Sequence, residues 1–524
     1  MRFFQYVLIA IGLCFFCSFQ SQAQRKVKLV HADVQKGGRD FTKWIGAVKF
    51  TQEDTHITCD SAVRYDKTNL IEAFGHVRIE EGDSIVITSR KLIYEGDNKI
   101  ARLRENVVFS KLGEVTLYTD FLDYERLKDL AYYYNNGKLV DSTNTLKSLK
   151  GYYHTASKMA SFKTNVEGKS PDYELETDTM QYNVQTNVIY FRAPTRLTDI
   201  EGNVFNHESG QYDTNQKKSS FKKGLLESES YDLTGDKLFL DDISRYYRAT
   251  KNVFLVAKEQ NIIISGDFGE HWRDTQITKV YGNAMMRKIN DNDTLYLTAD
   301  TLVSIDSEYD SVKRLLAYKN VRIFKPDFQA KADSLSYHLS DSTIHFYNEP
   351  VLWTEGNQLT ADSINVVIMN NTIDRLNMYV KSFVISQDTV LNFNQIKGRN
   401  MTAYFKDEQI NKILVNGNGE SIYFALDDED NALIGMNKIY CSDMSIKFQY
   451  NKVKDILFYK KPDGKLIPPQ ELEGPDKRLQ GFSWREDIRP VRSEMLLKQI
   501  APEGLLSTPL IPENLDDTNQ RMKQ

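Results

Sequence analysis

The sequence predicts an all-β repeat protein, a long array in which short strands build a two-sheet trough. A small residue followed by Asp recurs at steps of about 27–33 residues, each copy continues as an apolar strand alternating with period two, and no stretch of the array sustains the 3.6 period of a helix. About 13 such repeats fill the chain from Lys28 to Lys460.

The first 23 residues stand outside this array. Arg2 precedes an apolar run from Val7 to Phe16, and Ser21-Gln22-Ala23 supplies small residues before Gln24, the pattern of a secretory signal peptide. The run is shorter than the roughly 20 residues that span a bilayer. Leu13 and Phe16 precede Cys14 and Cys17, which argues against a lipidated cysteine. The mature chain then keeps only Cys59 and Cys441, too few for a disulfide framework, and these are expected as unbonded thiols.

The clearest repeat copies read ITCDSAVRYD (57–66), LTADTLVSID (297–306), AKADSLSYHL (330–339) and LTADSINVVI (359–368). Other Asp positions in phase are Asp33, Asp120, Asp178, Asp236, Asp267 and Asp443. A second half recurs too, an aromatic residue before a turn-forming Gly or Asn, as in Phe74-Gly75-His76-Val77, Tyr281-Gly282-Asn283-Ala284 and Tyr318-Lys319-Asn320-Val321. Each repeat is therefore expected to give one short strand to each sheet, joined by a tight corner. A short Asp can accept hydrogen bonds at such a bend, and the Ala, Gly or Cys before it leaves room for the chain to swing across. A catalytic or metal-binding carboxylate ladder would need a second residue type at fixed spacing, and none recurs.

Beyond the corner, alternate residues share a face. Leu302, Leu335, Tyr337, Val351, Trp353, Ile364 and Val366 are the candidates for an apolar interior, whether a closed core or an open groove. No chemistry competes with that role. The eight histidines are scattered singly, with no two-His motif, nucleophile elbow or phosphate loop, so no catalytic residue, metal or cofactor is expected. A net charge of −5 with interspersed signs offers no basic stripe for nucleic acid. From Lys461 the Pro and Gly content rises and alternation stops, which predicts a linker and partly disordered tail over 461–524, with a helical turn at Ser493 to Ile500.

The strands KADSLSY (331–337) and LTADS (359–363), with their FGxV and YxNV returns, resemble the repeat of the OstA/LptA-type domain of the lipopolysaccharide-transport family. The resemblance implies a β-jellyroll whose hydrophobic groove holds lipopolysaccharide acyl chains. It also implies a periplasmic place, with association at the outer membrane, and end-to-end sheet augmentation with other transport proteins at the two membranes. The chain is several times longer than the single-domain bridge protein and shows no set of membrane strands toward its C-terminus. Several such domains in tandem are expected, over 24–175, 176–330 and 331–460. The rival is a structural or adhesive solenoid with a closed core. A polysaccharide-processing enzyme would need paired carboxylates on one exposed face, and the sequence does not single out such a pair.

Overall fold

A computed structural model describes residues 27–496, except 53–54, 69, 83–84, 112–114, 141–142, 230, 260, 290–292, 308, 310, 355, 371, 408, 428–430 and 450–451. The signal segment and the residues after Leu496 lie outside the described residues. The chain divides into two compact units, 1–229 with 233–247 and 230–232 with 248–524. Among the described residues both are predominantly antiparallel β, the expected two-sheet β-jellyroll.

In the first unit ten long strands run as a meander from Phe41–Gln52 and Thr55–Tyr65 to Met159–Lys169 and Tyr173–Asn183. Every ladder between successive members changes register at mid-strand. The cause is a pair of residues with positive φ on alternate strands: Gly46-Ala47, Gly75-His76, Glu105-Asn106, Asn135-Asn136 and Thr164-Asn165. Each pair gives its strand one residue more than the partner, a β-bulge that bends the strand and sharpens its twist. The bend is large enough to fold a strand on itself. Trp44 and Phe50 lie six residues apart, about 20 Å in a straight strand, yet their rings meet edge-on with centroids 5.5 Å apart.

The two recurrent halves of the sequence motif are thus the two sides of one bend. The Asp of one strand faces the left-handed pair of the next and accepts its hydrogen bonds. His76 Nδ1 lies 2.8 Å from Asp60, Asn106 N–H donates to Asp120 at 3.1 Å, and Gly417 N–H donates to Asp443 at 3.0 Å. Asparagine amides do the same from Asn283 to Asp267, Asn320 to Asp300 and Asn348 to Asp333.

This corrects the expected strand count. A repeat is a hairpin of two long strands, each crossing both sheet halves, so it gives two strands to each sheet. At Pro194 and Pro350, which lack an N–H to donate, the bend interrupts a strand outright, as between Thr343–Tyr347 and Val351–Thr354. The strands that pair there break too, between Val204–His207 and Ser209–Asp213 and between Asn357–Thr360 and Ser363–Met369.

In the second unit the strands from Ile262–Trp272 to Phe328–His338 and from Thr372–Gln387 to Leu433–Gln449 repeat the pattern. The expected linker is absent up to Leu496. Asp463–Ile467 adds a further strand to Leu433–Gln449, and the chain continues through three 3-10 turns into a short helix at Arg492–Leu496. Cys59 and Cys441 are both free, and burial pushes the Cys59 thiol up to about 11, with Asp60 adding to the shift.

The bend makes a prediction. Gly75 has φ +68 and a Cβ there would fall on the Asp60 carboxylate, whereas nothing stands within 4 Å of a Cβ at Gly37. Gly75→Val should cost about 1–3 kcal/mol and Gly37→Ala less than about 0.5 kcal/mol, read as urea midpoints.

Candidate functional site: the apolar interior

Because side chains alternate across a strand, register determines what the interior contains. In the first unit one half contributes a cross-strand row running Phe50, Ile57, Ile79, Ile87, Phe109, Leu117, Leu139 and Leu146. The other half contributes Ala62, Ala73, Leu92, Leu103, Leu122, Tyr133, Gly151, Phe162 and Met180. No polar residue interrupts the first row across eight strands.

Between the rows lies a wholly apolar cavity of about 70 Å³, lined by Leu117, Leu122, Tyr133, Leu139, Gly151 and Phe162 among others. That is roughly half the ~150 Å³ of a cavity that admits benzene. Tyr133 acts as a crossbar beside it. Its ring lies against Gly137 and Gly151, where any Cβ would collide with it, and its hydroxyl meets Ser148 Oγ at 2.6 Å.

In the second unit Leu302, Leu335 and Ile364 fall in one row with Ala317, Phe346, Met378 and Met401. Tyr337 and Val366 belong to the next row, paired through Ile344. Four of the five sit in one packed cluster, with exposure from 9% at Leu302 down to 0% at Ile364, and the partly buried Tyr337 packs against it.

Val351 and Trp353 do not join them. Their neighbour Leu352 packs in the interior cluster, so alternation places both on the outer face of the same sheet half. Trp353 stands there in a row that reads Gln329, Trp353, Gln358, Ile385, Gln395.

That outer face is covered by the chain's own C-terminal segment. Gln395 donates from Nε2 to the Lys477 carbonyl and accepts the Leu479 N–H, both at 2.8 Å. Gln358 makes the same two-point contact with the Ser483 carbonyl at 2.7 Å and the Arg485 N–H at 2.6 Å. The Gln329 Oε1 accepts from Arg489 Nε at 2.7 Å. Leu479, Phe482 and Trp484 pack on Phe383, Ile385, Ile422 and Phe424, while Met495 joins Met285 and Tyr296. Sequence reasoning missed this contact, although a Gln recurring beside an apolar residue in three neighbouring copies was its visible trace.

A second feature also went unread. His207 is 3% exposed, surrounded by Phe191, Phe205 and Phe221, and neither ring nitrogen has a hydrogen-bond partner. Burial lowers its pKa to about 4. A cleft of about 880 Å³ beside it carries Glu167, Glu176, Asp178 and Glu208 together with Arg196 and Lys223, a mixed-charge lining unsuited to an acyl chain. Among the described residues no group of three His, Cys, Asp or Glu could hold a metal, and no helix is long and apolar enough to cross a membrane.

Bent antiparallel strands around an apolar interior in each unit define a β-jellyroll repeat protein. Residues 24–178 match the family model described as OstA-like protein. No curated protein matches the chain. Among solved structures, similarity is found to LptH, the LptA homologous periplasmic component of the conserved lipopolysaccharide transport device from Pseudomonas aeruginosa. It is 15% identical, covers 26% of this chain and 79% of that one, and has a TM-score of 0.14.

Two measurements check these contacts. Gln395→Ala strands the Lys477 carbonyl and Leu479 N–H, so it should cost about 1–3 kcal/mol and raise hydrogen exchange across 477–496. A histidine held neutral by burial adds stability that is complete above its unfolded pKa near 6.5 and lost as pH falls toward about 4. The parent should therefore lose melting temperature between pH 6.5 and 4 more steeply than His207→Phe, and parallel curves would contradict the assignment.

Proposed function

We propose that this protein is a non-enzymatic periplasmic carrier that shields lipopolysaccharide acyl chains during export to the outer membrane. The observation that carries the proposal is the uninterrupted apolar row from Phe50 to Leu146, facing a second apolar row across the interior. The OstA-like match over the same segment and the signal-type N-terminus support it. Acyl chains leaving water for such a surface gain roughly 0.8 kcal/mol per methylene. A cavity of about 70 Å³ holds only part of one chain, so loading requires the two sheet halves to part beside Tyr133.

Partners would join by extending the sheet. The strands Lys28–His31 and Val34–Gly37 pair with Phe41–Gln52, are exposed along their length, and present free edges for augmentation by other transport proteins.

A closed-core structural solenoid is the second reading, favoured by the near-complete burial of Leu335, Ile364 and Val366 in the second unit. Photocrosslinking in cells separates the two. A photoreactive residue at Leu117 or Leu139 should capture lipopolysaccharide, and no capture from either would leave the closed core standing. Leu335→Asp buries an unpaired carboxylate and should lower stability by several kcal/mol. A variant that keeps its melting temperature would show that this row opens to solvent.

A further inference from the structure

The outer face of the first unit carries a surface that the acyl interior does not explain. One cross-strand row at the bend reads Lys91, Arg104, Phe121, Tyr134, Lys150, Lys163, turned outward because Leu122 and Tyr133, the neighbours of its two rings, line the interior. Phe121 and Tyr134 stack at 4.9 Å, and Tyr132 stacks on Tyr152 at 6.1 Å in the adjoining row. Cations sit over these rings: the Arg104 guanidinium is 5.4 Å from Phe121, and Lys163 Nζ is 5.6 Å from Tyr152.

The charges on this face are not balanced. Lys91 pairs with Glu72, and Arg104 pairs with the buried Asp123. Lys150 and Lys163, both exposed, stand directly opposite each other across their ladder, and neither has an ion-pair partner among the described residues. On the other side of the bend Lys138 and Lys147 repeat the arrangement, and only Lys147 approaches a carboxylate, Glu167 at 3.7 Å. Like charges directly opposite in a sheet are destabilising. Glu167 offsets the second pair in part, so the excess positive charge is concentrated at Lys150 and Lys163, where a bound anion would relieve the repulsion.

We infer that this face binds a phosphorylated oligosaccharide. The stacked, partly exposed aromatic rings leave apolar edges for the C–H groups of pyranose rings, and lysine ammonium groups act as mobile point charges for phosphate. A phosphate between Lys150 and Lys163 would relieve their repulsion while adjacent sugars cover Tyr134 and Tyr152. The site is on the opposite side of the sheet from the cavity and needs no acyl chain, so it stands or falls apart from the carrier proposal.

The test uses the mature full-length protein and a fluorescent phosphorylated oligosaccharide obtained by deacylating lipopolysaccharide, titrated by fluorescence anisotropy. The parent should bind it, with affinity falling as salt rises. Lys150→Gln/Lys163→Gln and removal of the phosphates should each weaken binding at least about tenfold, the loss of one charge-assisted contact. The double variant should melt no lower than the parent, since the substitutions remove a repulsion, and this separates lost binding from lost fold. Tyr152→Leu should weaken glycan binding while leaving the salt dependence in place. Equal binding of the dephosphorylated glycan, or an undiminished double variant, would overturn the inference. So would binding to phosphatidylglycerol vesicles with none to the glycan, which would make the face a membrane contact.

Discussion

Two left-handed residues set against one aspartate, at the middle of a strand, are the constraint on which the other features of each unit depend. Without them an eleven- or twelve-residue strand would run straight, and successive strands would make a flat sheet with one face to water. The bulge lets a single strand supply both walls of an interior. The aspartate then accepts hydrogen bonds at a turn where the regular ladder is broken. Gly46 and Gly75 have no room for a side chain because the aspartate carboxylate occupies it. Asn serves at Asn283, Asn320 and Asn348 because it tolerates positive φ and brings its own amide to the carboxylate.

Once the strands are bent, alternation does the rest, and it acts on both faces. The inner face is apolar in both units. The outer face differs between them. In the second unit it is apolar enough to require a cover, and the segment from Pro468 to Leu496 supplies one, with buried glutamines satisfying backbone groups that would otherwise be stranded under the segment. In the first unit the outer face around Phe121 and Tyr134 carries uncompensated lysines instead. One framework therefore presents a dry surface to its own chain in one unit and a charged, aromatic surface to solvent in the other.

The proposed carrier role and the packing draw on the same interior of the first unit. A carrier of acyl chains and a stable repeat protein need the same apolar rows, and the difference lies in whether those rows can part. Tyr133, seated against two glycines and tied to Ser148, fills the space that a chain would take. Its ring blocks the interior with few atoms, and rotating it away would sacrifice one hydrogen bond of ordinary strength.

The sequence by itself determined the fold class, the repeat, and the apolar character of Leu302, Leu335, Tyr337, Ile364 and Val366, because period-two alternation and turn chemistry are local and survive in every copy. It also showed both halves of the bend motif, though not that they face one another, since that pairing lies between strands. Only the tertiary structure decided which side of the sheet was inside. Alternation says that Val351 and Trp353 share a face, but their phase against Leu335 passes through the bend at Pro350, where the count of residues no longer tracks the face. The same limit hid the C-terminal cover. Its hydrogen bonds join Gln358 and Gln395 to backbone more than eighty residues away, and backbone acceptors leave no mark on the residue types that carry them.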